Sequence, residues 1–172
     1  MIGLCIFYFV SVQKKTSTPI TSLKKPNIEK QLESQQTQIL DQYPKTPQAL
    51  IEFHNELMRT YYRSQKNAQE TELYVDTIRL LYSNELLQLN DRALQISGLL
   101  QEAETYKQTP IILLKSETKE IDFLEKEDKA TMRVIHFTNK SDINRLYTLK
   151  KQDGLWKIDE WKDDNQAEAK DD

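Results

Sequence analysis

Through the middle of the chain, apolar positions recur every three or four residues. Leu50, Phe53, His54, Leu57, Met58 and Tyr61 fall on one stripe, the pattern of a core-facing helix. Tyr43-Pro44-Lys45-Thr46-Pro47 marks its start: Thr46 can accept from the orphan amides, and Pro47 at the first helical position has no amide to lose. A second helix is predicted over 70–89, through Leu73, Thr77, Ile78, Leu80 and Leu81. A third runs from a cap at Asn90 to about Lys107, with Ile96, Leu99, Leu100, Ala103 and Tyr106 as its stripe and Asp91 in its first turn. Ile28, Leu32, Ile39 and Leu40 make only a weak helical pattern, and the four glutamines within 31–38 leave it little to bury. Past Pro110 the period changes to two. Short strands are predicted over 111–117 and 121–124, then over 130–138, where Met132, Val134 and His136 alternate with Arg133, Ile135 and Phe137. Strands over 144–151 and 155–162 flank Gln152-Asp153-Gly154, and Asp-Gly supplies the positive φ angles of a tight hairpin turn. Helices followed by hairpin strands predict an α+β domain: three helices packed on a curved antiparallel sheet of four or five strands.

The first twelve residues, MIGLCIFYFVSV, are apolar almost without a break. A membrane span needs about 20 such residues and a signal-peptide core about 7 to 15. We read 1–12 as a membrane anchor or signal segment, or the remnant of one whose start lies upstream. Lys14, Lys15, Lys24 and Lys25 would otherwise keep the downstream side in the cytoplasm, so an upstream start with its own basic residues reconciles the anchor with an extracytoplasmic domain. A buried first element of the domain is the alternative. The expected organisation is the anchor at 1–12, a polar linker at 13–45, the α+β domain at 46–162 and an acidic tail at 163–172, on a cell membrane.

Composition narrows the chemistry. A net charge of -3 and a pI near 5.5 leave no electrostatic footprint for nucleic acid. Three glycines cannot build a phosphate-cradling loop. Cys5 is the single cysteine, so neither an intrachain disulfide nor a thiolate metal site is available, and bulky Leu4 before it disfavours lipidation. With His54 and His136 the only histidines, a histidine-rich metal site is excluded, and we expect neither metal nor cofactor.

The stretch YTLKKQDGLWKIDEW, residues 147–161, resembles the closing hairpin of nuclear transport factor 2-like domains, which often end in an aspartate-glycine turn followed by Trp-Lys-Ile. The wider order of anchor, polar linker, Tyr-Pro-x-Thr helix start, two further helices and sheet is similar to a set of uncharacterised Gram-positive bacterial membrane-anchored proteins. The resemblance covers about residues 43–162 and implies a cone-shaped fold. That fold hosts isomerases, dehydratases, binding modules and membrane-machine scaffolds, so it does not choose a function.

Two readings follow. The first is a membrane-tethered extracytoplasmic accessory domain without catalysis, binding a partner protein or a second copy through its sheet face. The residues expected at a ligand or partner site are His54, Tyr61, His136, Tyr147 and Trp161. The second is a small-molecule-binding, isomerising, dehydrating or hydrolytic cone using His54, Asp122 and His136 as acid and base. If the histidines are ordinary core residues, they will not meet a carboxylate in one open cavity.

Overall fold

The computed structural model describes residues 27–64, 66–124 and 128–164. The expected anchor at 1–12, Cys5 and residues 165–172 of the acidic tail lie outside them. Five helices, α1 (Ile28–Asp41), α2 (Pro47–Tyr62), α3 (Ala68–Arg79), α4 (Asn84–Leu89) and α5 (Arg92–Thr105), precede four strands, β1 (Leu113–Leu124), β2 (Lys129–Thr138), β3 (Asp142–Gln152) and β4 (Leu155–Asp163). The strands form an antiparallel sheet in the order β1-β2-β3-β4. The protein is thus α+β. No helix among the described residues is long and apolar enough to cross a membrane.

The expected linker ends early, because α1 is a helix within it. Asn27 caps α1 by accepting from Lys30 N–H at 3.1 Å. Leu32 and Ile39, one heptad apart, are buried in the common core while Gln31 and Gln38 stay exposed. Burying two large aliphatic side chains contributes roughly 1.5–3 kcal/mol each, enough to fix a glutamine-rich helix. Helix α2 starts as expected: Thr46 accepts from Ala49 N–H at 3.1 Å, with Pro47 in the first turn. It buries Leu50, Ile51, His54, Leu57, Met58 and Tyr61.

The predicted second helix is two. A capping box at Asn67 and Glu70 opens α3. At Leu80 the chain leaves the helix to lie along β4: Ser83 N–H donates to Ile158 O and Ile158 N–H to Leu81 O, both at 2.8 Å. Ser83 then accepts from Leu86 N–H as the cap of α4. The free edge of β4 takes these bonds at the expense of helical continuity. Helix α5 is capped by Asp91, which accepts from Leu94 N–H at 3.0 Å, rather than by Asn90. Its predicted stripe only rests on the core: Ile96 and Leu99 pack against it half-buried, no residue of α5 is fully buried, and Tyr106 is 40 % exposed.

The two short strands expected over 111–124 are one strand. Its register against β2 shifts between Leu113 and Lys115 and again between Thr118 and Glu120, which breaks the alternation of side chains. The β3–β4 turn has Asp153 at φ 52° and Gly154 at φ 80°, the left-handed pair of a tight hairpin. A further register shift between Thr148 and Leu149 moves Trp161 opposite Tyr147 and Trp156 opposite Lys151. Both tryptophans therefore pack against the helix-covered core. The tail begins later than expected: Asp163 belongs to β4, and Asp164 is buried, ion-paired with Arg133, with its N–H donating to Asn144 O at 2.8 Å.

Candidate functional site

The inner face of β2 carries Met132, Val134 and His136; the matching face of β3 carries Ile143, Arg145, Tyr147 and Leu149. This parity brings His136 beside Tyr147, and α2 lowers His54 onto the same phenol. His136 Nε2 lies 2.9 Å from Tyr147 Oη, and His136 Nδ1 lies 2.8 Å from Ser116 Oγ on β1. The His54 ring stands edge-on to Tyr147 with centroids 5.3 Å apart. His54 is 3 % exposed, His136 1 % and Tyr147 0 %.

Burial decides the protonation of this cluster. It lowers His54 to about 3, aided by neighbouring His136, and lowers His136 to about 4, aided by Arg145. Burial likewise pushes Tyr147 up to about 12. Both imidazoles and the phenol are neutral at physiological pH. His54 Nδ1 is buried without a hydrogen-bond partner among the described residues. A neutral His136 has one N–H, so it donates to one of Ser116 and Tyr147 and accepts from the other. Either tautomer completes the chain.

Two openings reach this cluster, one at Ser116 and one at His136. The first, about 450 Å³, is a polar groove between α2 and β1 lined by Gln48, Glu52, Asn55, Arg59, Ser116 and Thr118. The second, about 130 Å³, lies between α2, α5 and the end of the sheet. Met58, Leu113 and Ile143 form its apolar walls, and Tyr62, Glu102, His136 and Arg145 bring polar tips to it. Tyr62 Oη donates to Glu102 Oε2 at 3.5 Å, and Lys66 Nζ lies 3.7 Å from Glu102 Oε1. Arg145 Nε donates to Asp163 Oδ1 at 3.4 Å.

Ser116 and His136 have the spacing of a nucleophile and its base. The third partner is wrong for that chemistry: it is a neutral phenol where a carboxylate would stabilise an imidazolium. A folded pKa near 4 against an ordinary 6.5 makes imidazolium formation about 3 kcal/mol harder than in water. Asp122 does not supply the missing charge. It is exposed, pairs with Thr131 on the sheet face turned away from the helices, and sits six positions along β1 from Ser116, about 20 Å.

The profile of a family described as a domain of unknown function, DUF6715, matches residues 1–161. The chain belongs to this family. No curated protein and no solved structure matches it. The family description assigns no chemistry, so side-chain placement carries the functional argument. Of the five site residues read from the sequence, His54, His136 and Tyr147 come together. Tyr61 stacks on Tyr74 with centroids 4.2 Å apart and shares a hydrogen bond with Thr71, away from both openings. Trp161 packs on Tyr82 at 5.4 Å. The sheet-face partner site was expected to offer Trp161, and the β-bulge turns that ring inward instead. Arg145, Glu102 and Ser116 were missed, whereas Tyr62 stood among the aromatics able to line a cavity. Arg145 was within reach of the pattern, because with Tyr147 and Leu149 facing inward its parity puts it on the same face.

Proposed function

We propose that this protein is a membrane-tethered, extracytoplasmic accessory domain without catalytic chemistry, which takes its ligand in the pocket beside His136. The carrying observation is the state of the two histidines: both buried and neutral, His136 bonded to the hydroxyls of Ser116 and Tyr147, His54 edge-on to the Tyr147 ring, and no carboxylate among the described residues to hold a proton on either ring. What remains at the mouth is a small, mostly apolar concavity with a few convergent polar groups, the usual form of a binding site. A four-stranded antiparallel meander with helices on one face also supports the nuclear transport factor 2-like reading, with this pocket at the mouth of the cone. The apolar run at 1–12 supports the tether.

The test is histidine NMR of the full-length chain in detergent. His136 Cε1–H should not titrate between pH 8 and pH 5, and a small neutral probe, isobutanol, should shift His136 and the Met58 methyl. A His136 pKa near 7, or carboxylate-dependent ester or amide cleavage lost in Ser116→Ala, would refute the non-catalytic reading. Cell fractionation addresses the tether: the intact chain should sediment with membranes, and proteolysis within 13–26 should release the domain.

A further inference from the structure

The pocket beside His136 has opposite charges on opposite walls. Arg145 reaches it from β3 and Glu102 from α5, and Tyr62 of α2 joins the lining with its hydroxyl donating to Glu102 Oε2 at 3.5 Å. Each charge already has a counter-ion: Asp163 for Arg145 and Lys66 for Glu102. A ligand of net charge would leave one of these pairs overcompensated, whereas a dipolar ligand of zero net charge would not. Glu102 lines the pocket with its side chain 30 % exposed, and among the described residues its Oε2 accepts only a long bond from Tyr62 at 3.5 Å. A carboxylate oxygen with so weak a donor has acceptor capacity to spare, and an ammonium group in the pocket would fill it. The guanidinium of Arg145 is the matching partner for a carboxylate.

Size and wall chemistry restrict the rest of the molecule. A cavity of about 130 Å³ compares with the roughly 150 Å³ that holds benzene, so it takes about six to eight non-hydrogen atoms. Met58, Leu113 and Ile143 want an apolar body. From these observations we infer that the ligand is a small apolar α-amino acid, its ammonium on Glu102, its carboxylate on Arg145 and its side chain against Met58, Leu113 and Ile143. This rests on the pocket being the binding site, as proposed above.

The experiment titrates the full-length chain with four probes of one shape: valine, isovalerate (no amine), isobutylamine (no carboxylate) and isobutanol (neither charge). Met58 methyl and His136 ring signals report occupancy, and calorimetry gives affinity. Valine should bind at least tenfold more tightly than any of the other three. Glu102→Gln, on the half-exposed α5, should keep the fold by circular dichroism and lose at least tenfold for valine while leaving isovalerate unchanged. Isovalerate or isobutylamine binding as well as valine would overturn the dipolar ligand and leave the pocket reading standing, as would isobutanol binding alone. A Glu102→Gln variant that binds valine normally would also overturn it. No response at Met58 or His136 to any of the four would refute both the inference and the binding pocket.

Discussion

His54 and His136 share one phenol, and neither can take up a proton without disturbing the middle of the core. Their folded pKa values, about 3 and about 4, lie below the 6.5 of an exposed histidine. In the unfolded chain both are protonated as pH falls through 6.5; in the folded protein they resist until pH 4 and below. Stability is therefore whole above pH 6.5 and is lost progressively as pH falls from there toward 3. Between pH 7 and pH 5 the pair should remove about 3 to 4 kcal/mol, measured by urea unfolding at each pH, and His136→Gln should reduce that slope by about half. A stability that does not change over this interval would show that the imidazoles are solvated. The helical stripe that carries His54 with Leu50 and Leu57, and the alternation that puts His136 on one face with Met132 and Val134, were legible in the sequence; how deeply both are buried was not, because the pattern reads His54 as a rim residue and His136 as an ordinary strand residue. Glu102 was not legible as a pocket residue, because α5 lacks the buried stripe that would have told which of its faces turns inward.

Element boundaries follow local chemistry where one signal dominates. Thr46-Pro47 and Asp153-Gly154 each specify their turn without help from the rest of the chain. Gly154 holds φ at 80°, and a Cβ placed there would meet nothing within 4 Å, so the only penalty for a side chain is the backbone conformation itself. Gly154→Ala should therefore cost about 1 kcal/mol, seen as a lower denaturation midpoint with unchanged m-value. A neutral substitution would mean that the turn relaxes out of its tight form. Where two signals compete, tertiary contacts decide. Leu80, Leu81 and Tyr82 continue a helical pattern, and Ser83 is a good cap for a new one. The pull of β4's unpaired backbone makes Ser83 win. The bulges in β1 and β4 are less legible still, since one extra residue reverses the parity from which inward and outward faces are read. That reversal carried Trp161 to the inner face and split β1 in the reading of its pattern.

At the scale of the molecule, the helix layer is unevenly fastened to the sheet. Helix α1, polar enough to resemble a linker, is held by Leu32 and Ile39; Leu32→Ala should cost about 2–5 kcal/mol by chemical denaturation, against almost nothing if the segment were a tether. Helix α5, with the more apolar sequence, buries no residue. It is held by half-buried Ile96 and Leu99 and by polar links: Arg92 on Asp76 at 2.6 and 2.9 Å, Arg79 Nη1 on Asn90 O at 2.5 Å, and Glu102 with Tyr62 and Lys66. Arg92 and Asp76 are both more than two-fifths exposed, so water and salt screen the pair and it fastens the helix only weakly. Local opening should therefore reach α5 well before it reaches α2, whose buried residues include Leu50, Ile51, Leu57 and Tyr61. Amide exchange followed by mass spectrometry should find α5 at least tenfold less protected than α2. Because part of its fastening is electrostatic, 1 M salt, with a screening length of about 3 Å, should widen that gap. Glu102 rides on this helix and walls the pocket, so a bound ligand bridging Glu102 to Arg145 should close the gap again. Equal protection of α5 and α2 in the free protein, insensitive to salt, would show instead that half-buried Ile96 and Leu99 suffice to lock the helix in place, and that the pocket's wall is as rigid as its floor.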